Sequence, residues 1–439
     1  MSLDFKSESE SDSSSNESTM SISKRLLGEQ REYDDTVSST KSWMSSISIM
    51  VPASILMMSM QRKRPHGGSI PGRRYIKRER RERHELIINA YFKGEDSKYT
   101  AEQAIGNYDE YFTQKVDAVG RWGVSPLQKM VAALWMLAYG CAADVLDEYV
   151  QIGESTVIES LKHSCDAVIN IFEEKYLRRP NERDVERLLK EGEERGFPGM
   201  LGSLDCMHWR WKNCPTAWHG THTNGFKKTP TLILEAVASK DLWIWHAFFG
   251  MAGTNNDINV LNRSPLFDDL VNGIAPPCRY EVNGHRYDMG YFLSDGIYPP
   301  YATLIQSISS PCSQKEKLFA KCQEAVRKDV ERAFGVLQSR CHIVKGPARM
   351  WNVKDLGKIM KTCIILHNMI IESENHKGIN PEDWVPHMDE NTDDMNLEHD
   401  YSIIVSKMIK RLKEVQSTNI HRDLKNDLIN HLWDRHGDA

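Results

Sequence analysis

Three carboxylates in unlike settings define the chemistry open to this chain. Asp205 interrupts the apolar run Leu201-Gly-Ser-Leu-Asp-Cys-Met-His-Trp209, which has the texture of a buried strand entered through a glycine. Asp295 follows Tyr291-Phe-Leu-Ser294 and precedes Gly296 and Pro299, so it stands where a short strand stops. Glu331 lies in Ala325-Val-Arg-Lys-Asp-Val-Glu-Arg-Ala-Phe-Gly335, inside a stretch with helical spacing. Carboxylates at two strand ends and on one helix can converge on a point. Oxygen-rich sites of that kind take hard divalent cations, Mg2+ or Mn2+. Two such ions clamp an in-line phosphoryl displacement. The expected chemistry is that of a nuclease.

The surroundings of each acid sharpen the expectation. Asp205 sits between Leu204 and Cys206-Met207, where an unpartnered charge costs several kcal/mol and a cation supplies the missing partner. Glu331 borders a stripe of Leu318, Phe319, Cys322, Val326, Val330, Phe334 and Leu337, so it projects along the edge of a core. Asp329, its nearest competitor, is expected to face solvent. Asp257 follows Gly253-Thr-Asn-Asn256 at a helix start, so it is either an N-cap or an auxiliary carboxylate near the metals. Cys206, His208, Cys214, His219 and His222 fit no standard zinc spacing. Lys212, His219, Lys227 and Lys228 are expected to line a path for a phosphate backbone, and Arg327 is counted with them. Trp209, Trp211, Trp218, Trp243 and Trp245 read mostly as core, with one of them free to stack on a flipped or frayed base.

The elements that position these residues follow from pattern. From about residue 74 to 196 no strand signal occurs. Ser125-Pro126 begins a helix that Gly140 ends, and two more helical segments follow around Gly153. A short helix, a glycine-containing turn and another helix match either a helix-turn-helix unit or an ordinary bundle. At Pro198 the texture changes to strands over 202–211, 231–239 and 242–250, with Lys240-Asp241 as a hairpin turn. A helix from Asp257, a strand through Asp295 and the helix of Glu331 come next. That order is the order of an RNase H-like α/β fold, a mixed sheet flanked by helices, here behind an N-terminal all-helical domain. The expected divisions are a disordered acidic and serine-rich leader over 1–60, a basic arm over 61–90 and a helical DNA-binding domain over 91–197. The catalytic domain follows over 198–374, a linker over 375–400 and C-terminal helices over 401–439.

The chain has 439 residues and a net charge of −5, but the charge is segregated. Ser7-Glu-Ser-Glu-Ser-Asp-Ser-Ser-Ser-Asn-Glu-Ser18 lacks the apolar content to fold. Arg62, Lys63, Arg64, Arg73 and Arg74 form a cationic arm that can neutralise phosphates or serve nuclear import; its alternative is a solvated helix start with local Arg–Glu pairs. The apolar run 43–60 is near the minimum length for a membrane span, yet carries several serines and Pro52, so no membrane partner is expected. Nine cysteines without a Cys-x-x-Cys pair indicate reduced thiols.

Several blocks in order, Gly202-Ser-Leu-Asp-Cys-Met-His-Trp209, Asn255-Asn-Asp-Ile-Asn-Val-Leu261, Ser294-Asp-Gly-Ile-Tyr-Pro299, Arg327-Lys-Asp-Val-Glu-Arg-Ala-Phe-Gly335 and Leu366-His-Asn-Met-Ile370, make the chain resemble the plant PIF/Harbinger transposases of the Ping/Pong type. The resemblance runs from about Tyr111 to Ile371, and Asp423–Trp433 resembles the family's C-terminal end. It implies a DDE endonuclease with Asp205, Asp295 and Glu331 as catalytic and metal-binding residues. It also implies double-stranded DNA with terminal inverted repeats as substrate, a Myb-like partner protein, at least a homodimer, and a nuclear site of action. Lys98–Asn107 replaces the Arg- and Phe-rich helical segment that family members carry, and is shorter. The alternative is a domesticated chromatin or regulatory protein that keeps the fold without nuclease activity.

Overall fold

The computed structural model describes residues 80–91, 109–118, 120–375 and 401–436. The leader, the linker, the segment Lys98–Asn107 and the cations Arg62, Lys63, Arg64, Arg73 and Arg74 lie outside the described residues. No helix among the described residues is long and apolar enough to cross a membrane.

The helical half comprises α1 (Arg80–Tyr91), α2 (Pro126–Tyr139), α3 (Val145–Val150), α4 (Glu154–Tyr176) and α5 (Glu182–Glu194). Sequence signals set the ends of α2: Ser125 and Gln128 form a reciprocal capping box, and Gly140 closes the helix in the left-handed region at φ 60°. A Cβ at Gly140 would stand 2.8 Å from the carbonyl oxygen of His342, so glycine also permits a close approach there. Arg81 and Glu85 of α1 pair at 3.6 Å on an exposed face. On its other side α1 is tied to α2, where Gln128 donates to the Arg80 carbonyl at 3.1 Å. Lys162 and His163 of α4 are engaged within the chain by Asp355 at 2.7 Å and Asp109 at 2.5 Å.

A five-stranded sheet follows, formed by β1 (Met200–Arg210), β2 (Thr231–Ala238), β3 (Ile244–Ala252), β6 (Tyr291–Ser294) and β7 (Leu304–Gln306), with β4 (Tyr280–Val282) and β5 (His285–Tyr287) as a separate hairpin. The strand order is β3-β2-β1-β6-β7. β1, β2 and β3 pair antiparallel, whereas β6 and β7 run parallel to β1. This mixed α/β sheet, flanked by helices, is compatible with an RNase H-like fold. Two short helices, α6 (Asp257–Leu261) and α7 (Asp268–Asn272), follow β3; α8 (Gln314–Arg340), α9 (Val353–Asn375), α10 (Tyr401–Val415) and α11 (Thr418–His436) complete the chain. One hydrophobic cluster unites Leu127, Leu137, Val157 and Leu161 of the helical half with Trp209, Leu234, Val330 and Ile364. A second packs Leu424, Leu428 and Leu432 of α11 on Phe197, Leu293 and Phe319.

The Leu366-His-Asn-Met-Ile370 block is a clamp. Asn368 Oδ1 accepts from the Ile244 N–H at 3.0 Å, and its amide donates to the carbonyls of Tyr176 and Ile244 at 2.7 and 2.8 Å. His367 donates through Nε2 to the Leu242 carbonyl at 2.9 Å. Burial, with the Arg340 guanidinium beside it, pushes the imidazole down to about 3 from an ordinary 6.5. Stability linked to this group is whole above pH 6.5 and drains away as pH falls towards 3, because the unfolded chain takes up a proton that the folded chain refuses. Each pH unit in that window costs roughly 1.4 kcal/mol. Urea unfolding at pH 6.5 and 5.0 should show the wild type losing about 2 kcal/mol more than His367→Gln; equal losses in both proteins contradict it.

Candidate active site

The register brings the first two carboxylates level. Ser203 of β1 lies beside Leu293 of β6 in the parallel pair, so Asp205 and Asp295, each two residues further on, reach the same height, Asp205 within β1 and Asp295 just past the end of β6. Gly202 sits at a bulge in that pairing, and a Cβ there would meet the Ala238 carbonyl oxygen at 2.7 Å. α8 then crosses β1. Ser203 Oγ donates to the Val326 carbonyl at 3.1 Å, and buried Gln323 donates to the carbonyls of Ser294 and Ile305 at 2.9 and 3.0 Å. These bonds fix the helix two turns before Glu331. Gln323 and Ser203 escaped the sequence reading; the signal that could have found Gln323 is a long amide at a position one turn from both Phe319 and Val326.

One guanidinium joins two of the three acids. Arg327 Nη1 lies 2.8 Å from Glu331 Oε1 and 3.5 Å from Asp205 Oδ2. Its side chain is only 16% exposed, and Asp205 is 18% exposed, while Glu331 is 44% exposed at the rim. Asp205 Oδ1 accepts from the Cys206 N–H at 2.7 Å, and Asp295 Oδ1 accepts from the Ile297 N–H at 3.0 Å, so both carboxylates are oriented by backbone. Burial raises Asp205 to about 6; the Cys206 N–H and Arg327 oppose the shift, and the charges of Asp295 and Glu331 add to it. Asp295 and Glu331 therefore both act on Asp205 electrostatically.

Asp257 is not the cap of its helix. Asn256 holds that place, accepting from the Asn259 N–H at 3.0 Å. Asp257 instead lies near Cys206, and burial followed by the charge of Asp295 raises its carboxyl. The expectation of a solvated Asp329 is overturned: Asp329 is 1% exposed and meets Arg195 at 2.5 Å and Arg332. The apolar stripe drawn from the sequence omits Ala333 and Val336, which are also buried, and Asp329 lies one helical turn from Val326 and Ala333. Lys227 and Lys228 are exposed. Arg327, expected to face DNA, turns inward to the acids. His219 and His222 bond the carbonyls of Cys214 and Trp218 at 3.1 Å each, and His208 bonds Thr231 at 2.9 Å. Among the described residues no three His, Cys, Asp or Glu side chains stand close enough together to hold a metal ion, zinc included.

Between Asp205 and Glu331 the positive charge is supplied by Arg327, in the place where a divalent cation would otherwise balance the two carboxylates. If Arg327 competes with a cation for these carboxylates, removing it should tighten metal binding. Arg327→Gln should show a melting-temperature rise at several-fold lower Mn2+ than the wild type, since ligand stabilisation follows concentration over Kd. Superimposable Mn2+ titrations would show that the guanidinium is no competitor.

A family model described as plant transposon protein matches residues 174–378, a span that holds Asp205, Asp295 and Glu331. Protein ALP1-like from Arabidopsis thaliana is 25% identical over 260 residues, covering 56% of this chain. The chain spans 61% of that relative's length. No solved structure matches. The chain is related to the Harbinger-type transposases.

Proposed function

We propose that the protein is a DNA endonuclease and strand-transferase of the DDE type on an RNase H-like fold, with Asp205, Asp295 and Glu331 as its catalytic acids. The observation that carries this is the levelling of Asp205 and Asp295 on adjacent parallel strands, with Glu331 joined to Asp205 through Arg327 on a helix tied down at Ser203 and Gln323. Asp205 and Asp295 would hold divalent cations, Glu331 would complete one of the sites, and Asp257 would support them. When bound, such ions polarise a scissile phosphate and activate water or a 3′-hydroxyl. The chain's own part is to orient the carboxylates by the backbone N–H groups of Cys206 and Ile297, and to keep Asp205 largely out of water. The partners would be double-stranded DNA with terminal repeats, a Myb-like protein and a second copy of the chain, acting in the nucleus.

Arg327 favours a second reading, in which the protein is a domesticated chromatin factor whose acids are permanently neutralised. Purified protein incubated with supercoiled plasmid decides between them. Nicking in Mg2+ or Mn2+ that EDTA stops is the expected result. Intact plasmid under every metal, with and without the Myb-like partner, rejects the nuclease.

A further inference from the structure

From Cys206 to Leu234 the chain contains no aspartate or glutamate, although acids number 61 among its 439 residues. Within that stretch Arg210, Lys212, Lys227 and Lys228 are all exposed. None of the four forms an ion pair among the described residues. This is an uncompensated cationic lobe beyond the carboxyl end of β1, and it suits a polyanion, since each phosphate neutralised releases counterions.

At the tip of the lobe Phe226 is 95% exposed. Single exposed apolar side chains are common, and exposure alone carries nothing. The manner of holding is what distinguishes this one. Asn224 Oδ1 accepts from the N–H groups of Phe226 and Lys227 at 2.9 and 2.8 Å, and the Asn224 carbonyl accepts from the Lys228 N–H at 2.8 Å. A bridge between Thr223 and Pro230 closes the base of the turn. The turn is also tied to the end of β3, where Thr254 Oγ1 donates to the Thr221 carbonyl at 2.6 Å. Gly253 makes that approach possible, for a Cβ there would lie 2.6 Å from the His222 carbonyl oxygen. The ring is thus presented to solvent beside two lysines, while Trp211, Trp218 and His222 of the same loop pack on one another.

An aromatic face set among phosphate-neutralising cations is the composition that stacks unpaired bases. We propose that Phe226 stacks on an unpaired nucleotide of DNA, with Lys227 and Lys228 on the flanking phosphates. This deepens, and rests on, the assignment of the acidic site to DNA cleavage. Five residues of strand separate Asp205 from Arg210, about 17 Å, so a frayed strand that reaches the lobe leaves the scissile phosphate a few nucleotides away, at the acids.

The test is equilibrium binding of the full chain, in EDTA, to a forked duplex with single-stranded dT arms and to a blunt duplex of the same core sequence. Wild type should prefer the fork by roughly tenfold, a stacking-sized effect. Phe226→Ala should abolish that preference and Phe226→Trp should retain it. Lys227→Ala and Lys228→Ala should weaken both DNAs alike and each lower the salt slope by about one. A fork preference unchanged in Phe226→Ala, or no binding of either DNA by wild type, overturns the proposal. Asp295→Asn should keep the fork preference, and a wild type that prefers the fork but never nicks condemns the cleavage chemistry and not the stacking site.

Discussion

Asp205→Asn should abolish metal-dependent nicking while making the metal-free protein more stable. The carboxylate is largely buried, and both its burial and the neighbouring charges of Asp295 and Glu331 raise its pKa to about 6. At neutral pH the folded protein therefore carries a charge it would sooner neutralise, and an amide of the same shape removes that cost. The same substitution takes away a hard anionic oxygen, for which an amide is a poor substitute towards a divalent cation. Loss of about 4 kcal/mol of transition-state stabilisation corresponds to a thousandfold lower rate. Asp295→Asn should lose activity to a similar extent, with its melting temperature little changed. Nicking rates measured beside melting curves in EDTA read both effects. A stable Asp205→Asn protein with wild-type nicking would remove Asp205 from the reaction. An inactive one that melts below wild type would mean the residue serves the fold instead. A group that burdens the fold and serves the reaction is what a site selected for chemistry should contain.

The largest stability loss should come from Asp329→Leu. Asp329 is buried between Arg195, which follows α5, and Arg332 on its own helix. Removing the anion leaves Arg195, 8% exposed as a residue, without its main counter-ion. Breaking one side of a buried pair typically costs 3–5 kcal/mol, on the order of 10 °C in melting temperature for a domain of this size. Urea unfolding compared with Asp329→Leu/Arg195→Met, which replaces both partners, separates pair loss from poor packing. The double variant should recover much of the loss, because the deeply buried Arg195 charge is gone and Arg332, the more exposed of the two cations, can turn to water. A single variant as stable as wild type would show the pair to be energetically idle. Glu331 lies two residues along the same helix, so the single variant should also nick more slowly.

Much of this site was legible because its strands are long and its motifs local. Asp205 lies in an eleven-residue strand, and Asp295 is followed by Gly296 at a strand end, so both were placed from sequence. β7 is three residues long and exists only through its pairing with β6, which gives it no local signature. The β4–β5 hairpin did have one: Asn283-Gly284, both at positive φ, is the residue pair a tight turn requires, and it was missed. Asp329 was misplaced because α8 was given a single narrow buried stripe, whereas β1, β2, α9, α11 and Arg195 contact it on several sides. Arg327 was read as DNA-facing because a cation one helical turn from a glutamate carries no sequence mark of which way it turns.

The acid-free lobe gives the protein an electrical polarity that its modest overall negative charge conceals. If the protein binds DNA as proposed, such a molecule experiences a torque in the field of the polyelectrolyte before it makes contact, and encounters should begin with the lobe leading. Raising the ionic strength should blunt that alignment first, slowing capture of DNA before it weakens complexes already formed.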